Sequence, residues 1–164
     1  MRLLGRWSAV SCRGLTLVEL LITVTILGIL AGAVLPLAQV SVQRNRELEL
    51  RRSLRLLRSA IDAYKADFDR AVREQTITAD VDETGYPKNL DELVHGVDWG
   101  ELYPFARKYL RRLPRDPFDR DQLGWGLRGY TDEPDALSWN GKDVYDVYSQ
   151  STATALDGST YNTW

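Results

Sequence analysis

From Leu15 to Val42 the chain runs 28 residues with one charged side chain, Glu19. As an α-helix rising ~1.5 Å per residue this run would reach about 42 Å, more than the ~30 Å of a bilayer's hydrocarbon core. Arg2, Arg6 and Arg13 precede it with no compensating acid. That asymmetry predicts an N-terminus in the cytoplasm and the rest of the chain across the membrane. A removable secretory signal has a shorter apolar stretch, roughly 7–15 residues, ending at a small-residue site. Here the run is too long and no such site follows it. A lipid anchor at Cys12 fails because no hydrophobic run precedes that cysteine. The run is therefore predicted to stay in the chain as a membrane helix over residues 15–42.

Within this run Glu19 is anomalous, because an ionised carboxylate at the centre of a bilayer costs about 2.5–3.5 kcal/mol on insertion scales. Two placements are open: a shallow one at the cytoplasmic interface near Arg13, and an intramembrane one that awaits a positive partner such as a free α-amino group. Gly28, Gly32 and Pro36 predict a weak helical stretch. The glycines allow close helix packing, and proline removes a backbone donor and kinks the helix about one turn upstream.

The residues Gly14-Leu15-Thr16-Leu17-Val18-Glu19-Leu20-Leu21 closely resemble the prepilin-peptidase motif of type IV pilins and type II secretion pseudopilins. The resemblance implies cleavage between Gly14 and Leu15 on the cytoplasmic side and N-methylation of Leu15, with the helix retained. It also implies that Glu19 of one subunit meets the N-terminal amine of its neighbour during assembly. Pairing the two in low dielectric offsets desolvation costs that neither group bears alone. Pro36 falls where the stems of related filaments bend or unwind on packing. Leu15 replaces the phenylalanine more usual after the scissile bond.

Beyond Val42 the pattern becomes amphipathic. Leu50, Leu54, Leu57, Ile61, Tyr64, Phe68 and Ala71 are spaced by threes and fours, one apolar stripe on a helix over 43–76. Arg44, Arg46, Arg51, Arg52, Arg55 and Arg58 read as a solvated face that also meets neighbours or lipid headgroups. With a net charge of −2 over the whole chain they give no nucleic-acid signature. One cysteine and one histidine, His95, leave little for nucleophilic or metal chemistry.

Residues 77–122 read as loop and short helix. Asn89 followed by Glu92 predicts a capped helix at Leu90–Val94, and Pro104 a second helical start that exposes Arg107, Lys108, Arg111 and Arg112. Pro114 and Pro117 force an extended 113–117. Residues 123–164 read as antiparallel sheet with a C-terminal loop. Leu123, Trp125 and Leu127 alternate with smaller or polar residues, and Val144–Tyr148 is β-rich, with turns at Asn140-Gly141 and Asp157-Gly158. Trp99, Trp125, Trp139 and Trp164 are expected in the core of a small head.

Tyr109-Leu110-Arg111-Arg112-Leu113-Pro114-Arg115-Asp116-Pro117-Phe118, with Tyr86-Pro87 through Val94, Val144–Ser149 and Ala155-Leu156-Asp157-Gly158 through Tyr161 to Trp164, resembles the major, G-type pseudopilin of type II secretion. The resemblance implies an α+β fold: a long N-terminal hydrophobic and amphipathic helix packed on a small C-terminal antiparallel sheet. Residues 1–14 would then be the leader. It further implies a non-enzymatic, homopolymeric subunit of a periplasmic pseudopilus, anchored in the bacterial inner membrane. Its partners would be prepilin peptidase, an inner-membrane assembly platform and minor pseudopilins, with no nucleic acid. Removing the leader with its three arginines would take the net charge from −2 to −5 and take Cys12 with it. Relatives of this type often bind calcium in the C-terminal loop. Here Asp157, helped by Asp143 or Asp146, is the available carboxylate, against the six to eight oxygens calcium takes. Three alternatives remain at this point: a surface type IV pilin; a minor, tip-located subunit, against which Glu19 counts; and a membrane-tethered periplasmic binding or enzymatic domain using Asp116, Asp119 and Asp121.

Overall fold

A computed structural model describes residues 14–80 and 82–164, with side chains for all of these but 33–37. Of the predicted leader only Gly14 falls inside this range; Cys12 and the leader arginines lie outside the described residues. The elements are helix α1 (Leu17–Arg73, 57 residues), helix α2 (Asp91–His95), strand β1 (Trp125–Arg128) and strand β2 (Asp146–Ser149). Single 3-10 turns sit at Gly100–Leu102 and Tyr161–Thr163. The chain divides into two compact units, Met1–Ser41 and Val42–Trp164. The fold is α+β.

In the second unit the predicted apolar stripe is the core. Leu50, Leu54, Leu57, Ile61, Tyr64, Phe68 and Ala71 are all buried, joined by Leu93, Trp99, Leu110, Val144, Val147, Ala155 and Tyr161. A fully buried Leu or Ile of this kind contributes roughly 1.5–3 kcal/mol by leaving water, so this stripe orders the rest of the head around α1. The helix ends in a Schellman motif. Thr76 N–H donates to Ala71 O at 3.0 Å and Gln75 N–H to Val72 O at 3.1 Å, with Gln75 in the left-handed region at φ 58°.

Strands β1 and β2 pair antiparallel, with Gly126 opposite Tyr148 and Arg128 opposite Asp146. Trp125 and Leu127 face the core as their alternation predicts, but the opposite face is covered too, with Gly126 and Arg128 buried. A Cβ on Gly126 would lie 2.3 Å from the Tyr148 ring. The Arg128 guanidinium stacks 4.1 Å from that ring and donates to Ala136 O. The 129–143 loop thus lies over the second face.

Several expectations are corrected. The strands are shorter than the β-rich runs: Leu123 is outside β1 and exposed, and Val144 and Tyr145 precede β2. Val144 N–H instead donates to Pro87 O at 2.8 Å, so the strand start is surrendered to a loop contact. No helix begins at Pro104; Tyr103 is extended, and Arg107 exchanges backbone hydrogen bonds with Val97 in an isolated bridge. Helix α2 lies one residue later than predicted, while Asn89 Oδ1 still accepts the Glu92 N–H at 3.1 Å. Trp139 is not in the core; it is 38% exposed.

Candidate processing and assembly site

Gly14, Leu15 and Thr16 have no regular structure, and α1 begins at Leu17. Thr16 caps it. Its Oγ1 accepts the Glu19 N–H at 3.2 Å, and its carbonyl accepts the Leu20 N–H at 3.1 Å. This is the first half of a capping box, with Glu19 at the third helical position. The motif residues therefore also form a helix start, and the Gly14–Leu15 bond lies in the irregular chain just before it. Glu19 sits in the first turn of α1, where the helix dipole favours a negative charge.

Around Glu19 the helix is apolar on all sides. Leu15, Leu17, Val18, Leu20, Leu21, Ile22, Val24, Ile26, Leu27, Ile29 and Leu30 are each at least half exposed. Thr23 and Thr25 turn their hydroxyls back onto the carbonyls of Leu20 and Leu21, which hides the polar atoms of this stretch. A helix apolar all round is buried in a membrane or among neighbours, not left in water. Beta-carbons added at Gly28 or Gly32 would meet nothing within 4 Å, so their small surfaces serve no contact in the single chain. Helix α1 is continuous from Leu17 to Arg73, and the weak stretch expected between Gly28 and Pro36 is not a break in this state. The Pro36 side chain lies outside the described residues. Among the described residues no helix is long and apolar enough to cross a membrane; the described side chains of the apolar run stop at Gly32 and resume at Ala38.

Two of the three candidate acids of the head do other work, and Asp121 is exposed. Asp116 is buried and accepts from Phe118 N–H and Ser149 O–H; Asp119 accepts from Leu123 and Gly124 N–H. Both carboxylates hold loop backbone. His95 is exposed and its Nδ1–H donates to Asp91 O at 3.0 Å. A groove of about 920 Å³ is lined by Glu49, Ser53, Leu56 and residues 109–115. It contains arginines and one carboxylate but no nucleophile–base pair.

The calcium expectation fares no better on donor chemistry. Asp157 Oδ1 accepts from the N–H and O–H of Ser159 while Oδ2 faces Arg51 at 3.5 Å. The Ser159 hydrogen bonds hold the Asp157 carboxyl below its ordinary range. Asp146 is paired with Arg58 and Arg128, and Asp143 accepts from Thr84 O–H and Tyr130 N–H. Among the described residues no group of three or more His, Cys, Asp or Glu is placed to hold a metal ion. Asp157, Asp143 and Asp146 do not fit a calcium site.

From the sequence Gln43 and Glu47 went unremarked, and Arg51 and Arg58 read as a solvated face; the fold makes one polar set of the four. Gln43, Glu47, Arg51 and Arg58 recur every one or two turns beside the apolar stripe and all bind the C-terminal loop. The four-residue steps from 43 to 51 were the available signal.

The comparisons with known proteins agree with the motif. The family model for the prokaryotic N-terminal methylation motif matches residues 10–35. The type II secretion system core protein G of Klebsiella pneumoniae is 29% identical over 143 residues, covering 80% of this chain and 91% of that protein. The protein of the same name from Pectobacterium carotovorum subsp. carotovorum is 33% identical over 143 residues, 80% of this chain and 82% of its own length. The Escherichia coli K12 protein of that name is 27% identical over 116 residues. No solved structure gives a significant match. With a prepilin-type start on a capped helix whose first part is apolar, and a head similar along most of its length to these proteins, the chain belongs to the type II secretion system core protein G family, the major pseudopilins.

Proposed function

We propose that the chain works as a filament subunit whose chemistry is confined to its first five mature residues and is performed on it by other proteins. Prepilin peptidase cuts between Gly14 and Leu15 and methylates the Leu15 amine. Glu19 pairs with the amine of the neighbouring subunit, and Pro36 lets the stem bend on packing. The observation that carries the reading is the exposed, all-round apolar first half of α1, which needs other copies or lipid to leave water. The three leader arginines support a single-pass, N-in orientation with the head in the periplasm. Growth at the base, on an inner-membrane platform together with minor pseudopilins, would push folded cargo outward. In this reading the subunit is structural, as its relatives' shared family suggests, and the driving energy comes from elsewhere.

Mass spectrometry of the protein from a peptidase-positive host tests the processing, with N-methyl-Leu15 the expected first residue. A chain that keeps Met1 in that host would sink the proposal. For assembly, a Glu19→Val variant should be cut normally yet be lost from sheared filaments; normal filament yield would refute the pairing role. Electron microscopy with and without the outer-membrane secretin separates a periplasmic filament from a surface pilus.

A further inference from the structure

Residues 153–164 are fastened to α1 by side chains on four levels of one helical face. Glu47, buried at 9% exposure, accepts from Leu156 N–H at 2.8 Å and from the fully buried Tyr161 hydroxyl at 3.0 Å. One turn earlier, Gln43 Nε2 donates to Thr154 O and Tyr161 Oη, both at 3.2 Å. One turn later, the Arg51 guanidinium lies 4.2 Å over the Trp164 ring and 3.5 Å from the Asp157 carboxylate. Two turns beyond that, Arg58 donates to the Trp164 backbone oxygen at 3.2 Å, to Val147 O at 3.1 Å and to Asp146 at 2.7 Å. Positions 43, 47, 51 and 58 share a face because steps of four and seven return to the same side of an α-helix. The loop itself is closed by the Thr154–Thr160 bridge and the turn at Gly158. Phe118 stacks on Tyr161 with 3.9 Å between centroids.

We propose that this set is a latch in which Arg51 is the resident cation of the C-terminal loop, so that the head folds and keeps its loop in place without a divalent ion. The physical case is one of charge and coordination. The loop's single carboxylate, Asp157, already has a guanidinium and two Ser159 donors around it. A calcium ion there would have to displace Arg51 and find five or more further oxygens. The Thr154 carbonyl, an oxygen of the kind calcium takes, is here turned to Gln43. A charged acceptor binding a buried hydroxyl and N–H is the stronger class of hydrogen bond. Arg51 contributes less through its exposed ion pair than through its stacking on Trp164, which covers the loop's aromatic side.

The test is amide hydrogen exchange and thermal melting of the full chain in detergent, with millimolar calcium and with EGTA. In the wild type both conditions should give the same melting temperature and the same protection of residues 153–164. Glu47→Ala and Arg51→Ala should each speed exchange in 153–164 by roughly tenfold, the scale of one or two lost hydrogen bonds, while the amides of Leu50–Ala71 stay protected. Glu47→Gln, which keeps an acceptor oxygen, should recover part of the protection. Should Glu47→Ala unfold the whole head, Arg51→Ala carries the comparison, since its side chain is half exposed and its removal opens no core cavity. A calcium-dependent rise in melting temperature or loop protection, as a specific ligand produces, overturns the proposal. So does unchanged loop exchange in Arg51→Ala.

Discussion

Gln75 stops the long helix, and nothing in its chemistry announces it. No glycine or proline stands between residues 71 and 84, yet the chain turns at a left-handed glutamine whose neighbours satisfy the last carbonyls of α1. A side chain in that conformation carries a backbone strain that glycine avoids, on the order of 1 kcal/mol. Gln75 is exposed, so Gln75→Gly should stabilise the head by about 0.5–1 kcal/mol, read as a higher midpoint of urea unfolding at unchanged slope. Glu19 shows the same economy at the other end. Its amide receives the Thr16 cap, so the residue that helps start the helix is also the one whose carboxylate serves the proposed subunit contact.

At the scale of elements, α1 holds the 91–110 segment through tyrosines. Tyr64 O–H donates to Glu92; Tyr103 and Tyr109 O–H donate to Asp67 at 2.9 and 2.8 Å, with Trp99 N–H on the Tyr109 oxygen. Burial, reinforced by the Glu92 charge, pushes the Tyr64 hydroxyl well above its ordinary value of about 10, and burial with the Asp67 hydrogen bond does the same to Tyr109. The folded state therefore keeps protons that the unfolded chain loses first. Stability from these groups is complete below pH ~10 and falls as pH rises above it, by up to about 1.4 kcal/mol per pH unit for each tyrosine. Denaturant midpoints measured from pH 8 to 11 should drop along this course. In Tyr64→Phe and Tyr109→Phe the starting stability should be lower and the alkaline slope shallower.

At the scale of the molecule the charges are sorted into blocks, −6 over residues 75–106, +4 over 107–128 and −5 over 129–164. Arg111, Arg112 and Arg115 are exposed and make no ion pair among the described residues. They are free to meet the acidic blocks of neighbouring subunits. Salt shortens the screening length from ~8 Å at physiological strength to ~3 Å at 1 M. Assembled filaments should therefore shed subunits faster in high salt, as followed by sedimentation, while the melting of the isolated subunit moves little. Indifference of the filaments to salt would place their strength in the apolar stems alone.

Sequence by itself determined the stem, the processing motif and the core stripe. These are local or periodic features: a run of apolar side chains, a cap and a step of three or four residues point the same way whatever the rest of the chain does. Tertiary structure decided what depends on long-range pairing. The Val144 N–H went to Pro87, Arg107 preferred a bridge to Val97 over a helix at Pro104, and Gly126 was required by a ring 22 residues away. It also decided the fate of the acids and arginines. Read in order, Asp157 is a possible metal ligand and Arg51 a solvated charge. Folded together they are partners, because a helix face and a C-terminal loop more than 100 residues apart meet only once the stripe between them is buried.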